Sequence, residues 1–101
     1  MINNIRLIEN YILKLDKNKI IKDIYISKIE DKNKYIFISI RNKYDNFLGN
    51  EKIEITYHIK NDTLIILSKS TIYYDNNKIL SLFVFAYNNK DKIKQIIKDN
   101  L

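Results

Sequence analysis

The chain has no cysteine, no proline, one glycine and one histidine among its 101 residues, and only two of its 18 basic side chains, Arg6 and Arg41, are arginine. Each shortage closes off a chemistry. Without cysteine there is neither a disulfide nor a thiolate metal site. A single histidine leaves any metal to carboxylates, and no acidic cluster has the loop spacing of a Ca²⁺ site, so neither metal nor cofactor is expected. One glycine cannot build a glycine-rich phosphate loop. Two arginines supply little for bidentate reading of bases or clamping of phosphates. The opening MINNIRLIEN lacks a basic start followed by an apolar run, and the longest mostly apolar stretch, Ile79 to Tyr87, is less than half a membrane span. These features predict a soluble, cytoplasmic protein with no membrane partner.

What is abundant is equally skewed: 22 isoleucines, 16 lysines and 14 asparagines. These are residues that A- and T-rich codons encode, as expected of an AT-rich genome. A net charge of +6 and a pI near 9.4 suggest an acidic partner such as nucleic acid. Codon bias is a competing source of the same lysines. At turns, Asn and Asp have to do what Gly and Pro do elsewhere.

The clearest pattern runs from Glu51 to Tyr87. Ile53, Ile55, Tyr57 and Ile59 alternate with Lys52, Glu54, Thr56, His58 and Lys60, the period of a half-buried strand. Asn61-Asp62 tolerates positive φ and predicts a two-residue hairpin, which sets Ile59 against Leu64, Tyr57 against Ile66, Ile55 against Ser68 and Glu54 beside Lys69. TLIILSKSTIYYD is then the second strand and, after a turn at Asn76-Asn77, KILSLFVFAY the third. This last segment is apolar on both faces, as in a strand covered on both sides. A two-residue turn would put Ile79, Phe83 and Phe85 on the face of Ile53 and Ile55; a three-residue turn would put Leu80, Leu82 and Val84 there.

Upstream, Ile5, Ile8, Tyr11, Ile12 and Leu15 form one stripe of a helix over residues 3–16, capped by Asn3 or Asn4. After a polar turn at Asp16 to Lys19, Ile20 to Ile29 and Lys34 to Arg41 read as a hairpin. Its three-residue loop, Asp31-Lys32-Asn33 with Asn33 left-handed, aligns Ile24 with Ile40 and Ile26 with Ile38. One face gathers Ile24, Ile26, Ile36, Ile38 and Ile40. The other carries Ile21, Tyr25, Ile29, Tyr35, Phe37 and Arg41, and so calls for a second cover or a partner. In RNKYDNFLGN, residues 41–50, Asn42 can cap a short helical turn that Gly49 stops, with Tyr44, Phe47 and Leu48 either projecting or folded back as a lid. Asn88-Asn89 caps a last helix, Lys90 to Asn100, with Ile93, Ile96, Ile97 and Leu101 in a narrow stripe and four lysines away from it. The expected fold is α+β: a two-layer domain over residues 1–101, with a five-stranded, mostly antiparallel sheet, hairpin plus three-strand meander, and N-terminal and C-terminal helices.

No catalytic motif emerges. Glu54, Thr56 and His58 share one strand face, a row that polar strand faces show by chance, and Glu51 and Glu54 point to opposite faces and cannot act as a close carboxylate pair. The expectation is a non-enzymatic protein that docks on another protein, an inhibitor or accessory factor encoded by a phage or mobile element and acting on a host or defence protein. The partner-binding candidates are Tyr35, Phe37, Arg41, His58, Lys69 and Tyr73 on the second sheet face, with Tyr44, Phe47 and Leu48 in the long connection. The alternative is nucleic-acid binding through Lys90, Lys92, Lys94 and Lys98 together with the aromatic face, where bases can stack. A homodimer is compatible with either, since isoleucine-rich sheets leave edges and faces to protect.

Overall fold

The computed structural model describes residues 2–30, 34–43, 51–69 and 81–101. In chain order the elements are α1 (Ile2–Leu15), β1 (Ile21–Ile29), β2 (Tyr35–Asn42), β3 (Lys52–His58), β4 (Thr63–Ser68), α2 (Leu82–Asn88) and α3 (Lys90–Asp99). The strands make one antiparallel sheet in the order β1-β2-β3-β4. The α+β class with helices at both ends is therefore as expected, but among the described residues the sheet has four strands, not five.

The expected fifth strand is overturned by α2. Leu82 to Asn88 coil into a helix, while Ile79 and Leu80 lie outside the described residues. A continuous apolar run carries no period, so LFVFAY suits a buried strand and a buried helix equally well. What decides the matter is a cap assembled from a distant part of the chain. Ser81 takes the extended backbone of an N-cap and its hydroxyl accepts from the Val84 amide. The buried carboxylate of Glu51 accepts from the amides of Leu82, at 2.6 Å, and Phe83, at 3.1 Å. Leu82 and Ala86, four residues apart, then enter the core while Val84 and Tyr87 stay exposed. Neither register expected for a third meander strand applies.

In the first hairpin Ile24 pairs with Ile40 and Ile26 with Ile38, as expected from a three-residue connection; that loop, residues 31–33, lies outside the described residues. A bulge between Ile21 and Asp23 changes the phase at the start of β1. Ile21, expected on the second face, is consequently buried.

In the second hairpin Ile55 pairs with Ile66 and Tyr57 with Leu64, two residues along from the expected register. The connection is the four residues from Ile59 to Asp62, because only Asp62 takes positive φ, at 53°, whereas a type I′ turn needs it at both central positions. The Tyr57 hydroxyl donates to the Asp62 carboxylate at 2.6 Å and locks this wider turn. A shift of two preserves the faces. It does move Glu54 opposite Leu67 instead of beside Lys69.

All three helices lie on one side. Ile8 and Ile12 of α1, Leu82 and Ala86 of α2, and Ile93 and Ile97 of α3 form one core with Ile36, Ile38, Ile40, Ile53, Ile55, Tyr57 and Leu64. Each isoleucine buried this completely contributes about 1.5–3 kcal/mol through loss of apolar surface. Tyr11, expected in the buried stripe of α1, is exposed with the Lys14 ammonium over its ring. Asn3 and Asn4 lie inside the first turn of α1 and do not precede it. The turn after α1 is held by buried Asp16, whose carboxylate accepts from the amides of Ile20 and Ile21, while Lys19 takes positive φ. Asn89 joins the last two helices, and its side chain donates back to the Phe85 carbonyl, closing α2 and leaving the start of α3 without a side-chain cap.

Candidate functional site: the outer face of the sheet

Alternate residues of a strand point to opposite sides, so the registers give the face turned away from the helices. Four cross-strand rows make it up. At one end Asp23, Arg41, Lys52 and Lys69 lie side by side. Next come Tyr25, Ser39, Glu54 and Leu67, then Ser27, Phe37, Thr56 and Ile65, and finally Ile29, Tyr35, His58 and Thr63. Among the described residues no helix lies on these rows. Tyr25 is 64% exposed, Leu67 49% and Ile65 42%. Tyr35 and His58 touch in a tilted ring pair, 5.7 Å between centroids, with Phe37 half-buried in the neighbouring row.

The charged end is organised by Arg41. Its Nε donates to both carboxylate oxygens of Asp23, at 2.9 and 3.1 Å, and its Nη2 pairs with the same group. These hydrogen bonds, with the Arg41 and Lys22 charges behind them, outweigh partial desolvation and hold the Asp23 carboxyl below its ordinary value. Beside this pair a depression of about 470 Å³ is lined by Tyr25, Phe37, Ser39, Arg41, Lys52 and Asp23. It sets two aromatic rings beside Lys52 and the Arg41–Asp23 ion pair. That combination suits a ligand with flat apolar and acidic parts.

Of the residues expected to bind a partner, Tyr35, Phe37, Arg41, His58 and Lys69 meet on this one face; Tyr44, Phe47, Leu48 and Tyr73 lie outside the described residues. The face adds Tyr25, Ile65 and Leu67 to the candidates. The expected hairpin already turned Leu64 and Ile66 inward and Ile65 and Leu67 outward, but within the apolar run LIIL the last two read as strand residues and not as contacts. Glu54 and His58 do share the face, but four strand residues set them about 13 Å apart, too far for direct proton transfer.

The four C-terminal lysines are placed differently. α3 belongs to the helix layer, on the opposite side of the sheet from the aromatic face. Lys94 and Lys98 reach the turn after β3 and form ion pairs with Asp62, at 3.3 and 3.5 Å. The Tyr57 hydroxyl first, and these two ammonium groups after it, hold the Asp62 carboxyl below its ordinary value. Burial first, and Asp62 second, push the Tyr57 phenol up to about 12. Lys90 and Lys92 are exposed, and Asp91 and Asp99 share the helix with them. These four lysines thus form no stripe continuous with the aromatic rows.

Among the described residues no group of three or more His, Cys, Asp or Glu side chains is placed to hold a metal. Among the same residues no helix is long and apolar enough to cross a membrane. Compared with known proteins, the chain matches no family model, no curated protein and no solved structure.

Proposed function

We propose that this protein is a non-enzymatic docking module that binds another protein through the outer face of its sheet. The observation that supports this most directly is the one-sided packing: three helices share the inner face, while Tyr25, Ile65 and Leu67 stay exposed around the Tyr35, Phe37 and His58 cluster. Apolar and aromatic side chains gathered on a face that no described helix covers, with charge concentrated in the rows of Arg41 and Glu54 toward one end, have the composition of a protein interface centre and its rim. The small size of the chain and its one-sided sheet favour an inhibitory or accessory role. Action on a host or defence protein, from a phage or mobile element, is the specific form of this reading.

Nucleic-acid binding draws support from the depression beside Arg41 and Lys52, but the lysines of α3 lie on the other side of the sheet. The two readings separate in one experiment. A photo-crosslinking amino acid is placed at position 25 or 67, and separately at position 10 on the exposed side of α1, and the crosslinker is activated in cells that express the protein. Discrete protein adducts from positions 25 and 67 but not from position 10 are expected. Adducts to nucleic acid alone, or no difference between the positions, would overturn the proposal.

A further inference from the structure

Among the described residues, the two edges of the sheet are unlike. β1 carries Lys22, Asp23 and Lys28 and a bulge between Ile21 and Asp23, features that discourage another strand from pairing. β4 is Thr63-Leu64-Ile65-Ile66-Leu67-Ser68, with no charge and a regular ladder to β3. The Lys69 amide donates to the Lys52 carbonyl at 2.7 Å. Successive residues of an antiparallel strand bond to opposite sides, so Thr63, Ile65 and Leu67 turn their backbone groups toward β3. Leu64 and Ile66 turn theirs outward.

We propose that β4 pairs antiparallel with the β4 of a second copy about a two-fold axis through Ile65, joining two four-stranded sheets into one. In this register Leu64 and the partner's Ile66 exchange two backbone hydrogen bonds, and symmetry repeats them. Ile65 stands opposite the partner's Ile65 without a backbone bond. Ser68 already makes an interaction within its own chain and is not needed.

A second copy suits this edge for two reasons. Both faces continue in phase across the axis: inward Leu64 meets the inward Ile66 of the partner subunit, and the exposed Ile65 meets its own equivalent. The ladder contains no charged side chain, so the +6 of each chain opposes association only at longer range. Salt screens that repulsion, so pairing tightens as ionic strength rises. Binding of nucleic acid would respond in the opposite direction.

The chain lacks cysteine, so one introduced thiol reports cleanly. Opposed residues that share no backbone bond have Cα atoms about 4.5 Å apart, within reach of a disulfide. Ile65→Cys is expected to give a covalent dimer under mild oxidation, whereas Tyr25→Cys, more exposed and on the far strand, stays monomeric. Sedimentation of the unmodified protein should show a dimer fraction that rises with concentration and salt. Ile65→Lys should weaken association at least tenfold while the circular dichroism spectrum is retained. Amide exchange at Leu64 and Ile66 should slow in proportion to the dimer fraction. Equal crosslinking of both cysteine variants would overturn the proposal, as would a monomer at every concentration. Protected Leu64 and Ile66 amides in a sedimenting monomer would overturn it too, by showing that the chain covers its own edge.

Discussion

The inner and outer faces of the sheet are built on the same strands and from overlapping residue types, yet they end in opposite states. Ile36, Ile38, Ile40, Ile53 and Ile55 are at most 2% exposed, whereas Tyr25, Ile65 and Leu67 are 42–64% exposed. Side-chain hydrophobicity cannot account for the difference, since Ile65 and Ile66 are neighbours in one strand. The helices account for it. α1 and α3 each carry a narrow apolar stripe that needs a sheet, α2 is held to the inner side by Glu51, and all three are used up there. Inner-face residues therefore carry stability, and outer-face residues are free to carry recognition.

The sharpest way to break that contrast is a truncation on each face. Ile38→Ala, at the centre of the core, is expected to cost about 4 kcal/mol in urea unfolding, from lost burial plus the cavity left behind. A loss under about 1 kcal/mol would mean the core collapses around the gap.

Glu51→Ala is next, expected at about 3 kcal/mol, because Asn42 Nδ2, the Ser81 hydroxyl and the Leu82 and Phe83 amides all lose their acceptor. The loss should show as helix content missing from the circular dichroism spectrum.

A smaller effect separates the two ends of β3. The fold favours the neutral Tyr57 phenol, so its contribution is fully present below pH 10 and declines as pH rises from 10 toward about 12, where the unfolded chain ionises first. Unfolding midpoints followed over that range should fall more steeply for the natural chain than for Tyr57→Phe. Parallel curves would mean the Asp62 contact does not survive in solution.

The smallest effect on stability belongs to the outer face. Tyr25→Ser is expected to change unfolding free energy by less than about 0.5 kcal/mol while abolishing partner crosslinking. A large destabilisation would show that the face is covered after all.

How much of this was legible in the sequence depended on the range of the interaction that decides each element. The register of β1 and β2 follows from the length of the short connection between them, and the inward turn of Ile53, Ile55 and Tyr57 from alternation, both purely local signals. The β3–β4 register failed by two because the turn is set by Asp62 and its bond to Tyr57, not by Asn61-Asp62 as an isolated pair. The helix α2 was read as a strand because its cap comes from Glu51, a residue that sequence inspection places on a polar strand end. Asp16 escaped notice for a similar reason: as a turn residue it looks solvated, yet it is 3% exposed and organises the entry to β1. At the candidate site, Tyr35, Phe37, Arg41, His58 and Lys69 were found by parity along strands, which survives a register slip of two. The same parity put Ile65 and Leu67 on that face, but in a continuous apolar run nothing marked them as contacts.

The long reach of Glu51 also sets an order of assembly. α2 has seven residues, too few to hold together alone in water, and the carboxylate that starts it sits 31 positions earlier. During synthesis that acceptor leaves the ribosome before the helix does. The helix can therefore wind directly onto an anchor already carried by the emerging chain.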